Sequence, residues 1–221
     1  MIDIIIIETL YVLIIGLSSL WIFLRTHRLY RFSRYKGLLY FSSAFLLLAA
    51  GFFIRYILML LRLVQGQLGT IQEFNMLTIV METLLMIPGF LLLYSFFWKS
   101  VQKQRFLGTR FLPIGIISSL AVIFAVSDFI LQGFYFMYIS QIASFLMASA
   151  ICLTNYLKRR NTHLQLMLIS MILFLIVWMI NLVAQYTIDL VPMIRLYAYM
   201  FTAAACLMIL LTTLRLTRDY R

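Results

Sequence analysis

Seven apolar runs, each long enough to cross a bilayer, alternate with short polar connections along this chain. They cover about 3–24, 37–64, 76–98, 111–130, 134–157, 164–187 and 191–216, where a helix needs roughly 20 apolar residues to span the hydrocarbon core. Without water in that core, a crossing segment satisfies its own backbone only as a helix or within a closed barrel. Runs of this length therefore predict an all-α, polytopic seven-transmembrane helix bundle that occupies the whole chain as one integral membrane domain. Pro113 falls in the first turn of the fourth run, where its missing N–H costs nothing. Pro88-Gly89 lies deep in the third and predicts a kink, either static or serving as a hinge.

Composition agrees with the pattern. Hydrophobic residues make up 64% of the 221, mean hydropathy is +1.02 and only 11% of residues are charged, against roughly 25% in soluble domains. The opening MIDIIIIE has no basic segment and no small-residue cleavage site, so a cleaved signal peptide is not expected. Cys152 and Cys206 stand in apolar helical stretches, far from any CxxC pattern, and read as small core residues.

Charge changes the picture. A net charge of +11 would suggest nucleic acid as the partner of a soluble chain, but its placement here points elsewhere. Five Lys and Arg lie in 25–36, four in 99–110, three in 158–160 and three in 215–221. The opposite connections hold none; Arg55, Arg62 and Arg195 lie within spans or near their ends. The positive-inside rule then sets the N-terminus outside and the C-terminus in the cytoplasm, in a multi-pass cell-membrane protein. Anionic lipid is the expected contact of the basic face, which could also dock an acidic cytoplasmic protein.

Arg55 is the charge that needs explanation. It sits well inside the second run, where an uncompensated arginine costs on the order of 3 kcal/mol by insertion scales. Counting 1.5 Å per residue, it lies roughly 14 Å below the outer end of its helix, and Glu82 about 9 Å below the outer end of the next. An Arg55–Glu82 ion pair is the expected solution, either lining a pocket or fixing helix packing. Trp178, Asn181, Gln185 and Asp189 form a polar stripe on the sixth run. Arg195, Tyr199, Thr202 and Cys206 form another on the seventh, while Asp128, Tyr135, Tyr138 and Gln141 surround the fourth connection. The candidate ligand-binding set is Arg55, Glu82, Tyr138, Trp178, Asn181, Gln185, Arg195 and Tyr199. Polar groups thus gather in the outer halves, and the inner halves are mostly Phe, Leu, Ile, Ala and Met.

Several chemistries lack their residues. No lysine lies inside a span for a retinal Schiff base, and His27 and His163 lie in or beside the cytoplasmic connections. Paired haem histidines, a histidine-rich metal site and a serine–histidine protease arrangement are therefore not available. No cofactor or metal is expected. Enzymatic activity is disfavoured, its residual form being Glu82 or Asp128 as a base on the outer side.

Function remains divided three ways at this level. The outer polar layer suits a receptor or sensor for a small polar or anionic ligand, signalling through a separate cytoplasmic protein. Alternatively, three spans, a linker span and three more is the plan of small sugar and vitamin carriers built from parallel repeats. A shift of 126 residues puts Arg34 on Arg160, Leu38 on Leu164 and Arg55 on Asn181, although matches beyond these are generically apolar. A structural subunit of a membrane complex is the third possibility. The orientation is directly testable: a C-terminal green fluorescent protein should fluoresce, and alkaline phosphatase fused after Val64 should be active. Reversed signals would overturn the charge argument.

Overall fold

The computed structural model describes residues 2–64, 71–103, 112–131, 133–184 and 191–219. These form seven helices: α1 (Ile2–Ser33), α2 (Lys36–Val64), α3 (Ile71–Lys103), α4 (Leu112–Ile130), α5 (Tyr135–Arg159), α6 (Thr162–Ala184) and α7 (Val191–Asp219). The chain is a multi-pass membrane protein, an all-α bundle in which six helices are long and apolar enough to cross a bilayer. The exception is α4, whose described apolar stretch, Ile114–Ile130, is shorter. Several helices outrun their apolar segments. The basic stretch 25–33 continues α1 for more than two turns, because its arginines and leucine are good helix formers outside the lipid. What looks like a loop in sequence is only Arg34 and Tyr35.

Among the described residues, helix contacts close into a ring. Each helix packs on the next in the order α1, α2, α3, α5, α6, α7 and back to α1, while α4 touches only α3 and α5 from outside. Its first trio, α1–α2–α3, and its second, α5–α6–α7, follow the same order of contacts round the ring. α1 ends at Ser33 and α5 at Arg159, 126 residues apart, and α2 and α6 begin at Lys36 and Thr162, again 126 apart. Between them, among the described residues, stand the two non-glycine positions with left-handed backbone, Arg34 (φ 53°) and Arg160 (φ 45°). Each donates its N–H to a tyrosine carbonyl, Tyr30 at 2.8 Å and Tyr156 at 2.7 Å. A left-handed arginine costs roughly 1–2 kcal/mol, and the chain carries that strain at both equivalent turns.

Burial follows the same register. Ile15 and Gln141, Ser18 and Ser144, Ile22 and Ala148, and Thr26 and Cys152 are buried pairs on α1 and α5. On α2 and α6, Ala44 matches Ser170, Phe45 matches Met171 and Leu48 matches Phe174. For α3 and α7 the offset is 120, pairing Leu85 with Ala205, Met86 with Cys206 and Leu92 with Thr212. Few of these pairs share an identity, so the repeat survives as a pattern of inward positions rather than as sequence.

Aromatic and cationic side chains mark the end of the bundle opposite the N-terminus. Arg25 lies over Trp21 at 5.6 Å and Lys36 over Trp98 at 5.5 Å. Tyr40 meets Tyr94 edge-on at 4.8 Å. Such residues favour the headgroup layer, where a ring can be half apolar and half wet.

The Pro88 region is clamped rather than loose. α3 runs unbroken through Pro88, and Gln141 on α5 donates Nε2–H to the Met86 carbonyl at 2.8 Å. A Cβ on Gly89 would collide with the Gln141 amide oxygen, and one on Gly51 of α2 would stand 2.9 Å from Leu85. Two glycines thus let neighbouring helices close on the proline turn from both sides. Gly89→Ala should drive the Gln141 amide off its acceptor and cost about 1–3 kcal/mol, the price of a buried unsatisfied amide. In a Gln141→Ala background the same change should cost far less. Thermal unfolding in detergent reads both, and additive losses would mean the contact does not matter.

Candidate functional site

The ring encloses a cavity of about 620 Å³ lined from all six of its helices, with nothing from α4. This is within the size range of small-molecule sites. The lining on α2 extends from Ala44 to Leu58, on α5 from Met137 to Phe145 and on α6 from Phe174 to Asn181. The helices alternate in direction, so Arg55, Tyr138, Asn181 and Tyr199 lie toward the end of the bundle that carries the N-terminus, whereas Ala44 and Phe45 on α2 and Leu92 on α3 carry the lining past mid-helix. Ile22, Ala148, Met171 and Ile209 are buried with at most 1% exposure, and Cys206, one turn past Thr202 on α7, is fully buried beneath the cavity.

Five of the eight residues selected from the sequence line this one cavity: Arg55, Tyr138, Trp178, Asn181 and Tyr199. Arg55 turns toward α7 and donates from Nη2 to the Tyr199 hydroxyl at 3.3 Å, its guanidinium carbon 6.0 Å from the ring centre. Tyr199 stacks on Tyr11 of α1, centroids 3.9 Å apart and planes 24° from parallel, and Tyr11 meets Phe52 edge-on at 5.5 Å. Across the cavity, Tyr138 lies 6.0 Å from Trp178. The aromatic walls obey the repeat, since Phe52 and Trp178 are 126 residues apart, as are Arg55 and Asn181. One side therefore presents a cation where the other presents a neutral amide.

Glu82 is not in the lining, and the expected Arg55–Glu82 pair does not form. Glu82 is 2% exposed, its Oε2 has no hydrogen-bond partner, and its charged neighbour is Asp128 on α4 rather than Arg55. The reason is angular. Adjacent helices bring their side chains together only when both face the shared seam, and residue 82 turns toward the outer helix. Gln185 lies outside the described residues. Arg195 belongs to α7, but its side chain is also outside them, as is Asp189.

Asp128 differs from its sequence reading as a boundary residue. It is 1% exposed and accepts the N–H groups of Phe136 at 2.8 Å and Met137 at 2.7 Å, one on each oxygen. These are unpaired donors of the first turn of α5, whose positive dipole end also favours a carboxylate. Asp128 is thus a remote cap holding α4 to α5, and both oxygens are engaged, which does not suit a base. Gln141 was legible in sequence only as one of the polar groups near the fourth connection, and its role at Gly89 depends on helix packing; the Pro88-Gly89 pair was the available signal. Among the described residues, no three His, Cys, Asp or Glu side chains group to hold a metal ion.

Comparison with known protein families, with curated proteins and with solved structures gave no match. Physical chemistry of the site alone therefore carries the functional argument. For the cap, Asp128→Ala should lower stability by about 1–2 kcal/mol, whereas Asp128→Asn, which keeps one acceptor oxygen, should lose less. Detergent melting curves check this; equal losses would mean that capping is not the role.

Proposed function

We propose that the protein is a membrane receptor or sensor that admits a small ligand to the cavity from outside and signals through a separate cytoplasmic protein. The observation that carries this reading is the change of the lining with depth: Arg55, Tyr138, Asn181 and Tyr199 line the cavity toward the N-terminal end, and Ala44, Phe45, Leu92 and Phe145 line it further in. A conduction path needs polar lining through the full thickness, whereas the inner lining at Ala44, Phe45, Leu48, Leu92, Phe145 and Phe174 is apolar. The orientation assigned from basic residues makes the cavity end the outer one. In this reading α4 is the seventh crossing and returns the chain between α3 and α5, which pack side by side. Its 19 residues rise about 28 Å, close to the roughly 30 Å hydrocarbon core. The basic opposite face supplies a docking surface for the cytoplasmic partner.

The repeated ring favours a second reading, a carrier whose two trios rock about the cavity. Parallel repeats related by an axis along the membrane normal, with a site at their interface, are a known transporter plan. Two hydrogen bonds, Arg55 to Tyr199 and Gln141 to Met86, join the trios and would have to yield in such a motion.

Thiol labelling separates the two. In a Cys152→Ser, Cys206→Ala background, Asn181→Cys should react with an impermeant maleimide added outside. In the native chain, Cys206 beneath the cavity should stay protected from reagent added to either side. Reaction of Cys206 from the cytoplasmic side would replace the receptor by the carrier. A protected Asn181→Cys would remove the outward-open site altogether.

A further inference from the structure

We infer that the cavity is built for an amphipathic carboxylate, its charged end on Arg55 and its apolar body directed toward the bundle centre; this rests on the outward-open binding site proposed above. The argument comes from how the lining changes with depth. On α2 it passes from Arg55 to Phe45, ten residues and about 15 Å further in. On α6 it passes from Asn181 to Phe174, and on α5 from Tyr138 to Phe145. Three helices of both trios thus grade from a polar rim to an aromatic floor, and Phe145 and Phe174 stack across that floor at 5.1 Å. The polar groups found deeper are engaged, the Gln141 amide by the Met86 carbonyl and the Thr202 hydroxyl by the Ala198 carbonyl, which leaves the floor apolar. A sugar or another wholly polar solute would lose hydrogen bonds to such a floor without replacement.

The rim chooses the sign of the head. The described lining contains one guanidinium and no carboxylate. Arginine presents a planar fork that matches a carboxylate in two parallel hydrogen bonds. The Tyr199 hydroxyl, already in contact with Arg55, is a second donor within the same reach. The counterpart of Arg55 in the second trio is the neutral Asn181, so one anionic group is favoured over two. A single-headed, medium-chain acid fits the site in charge, polarity gradient and size.

Decanoate is the probe, with decanol and acetate as its uncharged and tailless controls. Trp178 lines the cavity, so in a Trp21→Phe, Trp98→Phe chain in nanodiscs its fluorescence reports binding, with empty nanodiscs correcting for partition. Decanoate should give a saturable change. Decanol and acetate should each bind roughly tenfold or more weakly, since each lacks one half of the recognition. Arg55→Gln should weaken decanoate by a similar factor without affecting decanol, and Arg55→Lys should fall between. Decanol binding as tightly as decanoate, or indifference to Arg55→Gln in a chain that still melts cooperatively, overturns the inference. If Asn181→Cys is labelled from outside but decanoate does not bind, the ligand class is wrong and the outward-open cavity stands. An unlabelled Asn181→Cys removes both.

Discussion

The absence of water from the bilayer interior governs how this bundle is built. A polar group carried into the ring is costly unless it meets another polar group or a wet cavity, because hydrocarbon offers no substitute partner. Three groups, two buried and one half-buried, show three solutions. Asp128 takes the free N–H groups of a helix start, Gln141 takes a carbonyl beside a proline turn, and Arg55 is set in the cavity wall against a tyrosine. Each solution joins two helices, so satisfying the polar groups also specifies which helices are neighbours. The apolar surfaces alone specify little, since lipid tails compete for them on nearly equal terms.

That logic explains the outlying position of α4. Its described outward residues Ile116, Val122, Ile123 and Ile130 are exposed, as expected of a helix facing lipid, and its strong polar tie is the Asp128 cap. The six remaining helices form a ring of two trios with the same order of contacts, and such a ring leaves space at its axis when facing side chains do not interdigitate. Here Ile22, Ala148, Met171 and Ile209 are buried around part of the axis, and the cavity occupies the rest. The cavity is the part of the axis left unfilled, and the divergence of Arg55 from Asn181 gives it a polarity that a symmetric ring would lack.

Much of the fold could be read from the chain because lipid imposes a length on every crossing. Runs such as 134–157 agree with α5 to within two residues at each end. Ends were misjudged where a helix leaves the lipid, as at 25–33, since polar residues there permit helix as readily as loop. The repeat was nearly invisible: within the membrane, Leu, Ile, Phe and Met substitute for one another with little penalty, so inward positions persist while identities drift. Arg34 and Arg160 were matched in sequence, but their shared left-handed geometry belongs to the backbone.

The sequence by itself determined that this is a helical membrane protein, which residues lie within the lipid, and that Arg55, Tyr138, Trp178, Asn181 and Tyr199 lie at comparable depth. Those follow from hydrophobic run length and helical rise, quantities local to each segment. Only the tertiary structure decided azimuth, meaning which face of each helix points to the axis. A rotation of one helix by a third of a turn changes no run length and no depth, yet it separates Glu82 from Arg55 and leaves Tyr199 in its place. Packing and polar satisfaction across helices fix that rotation, and for that reason the cavity could not be read from the chain alone.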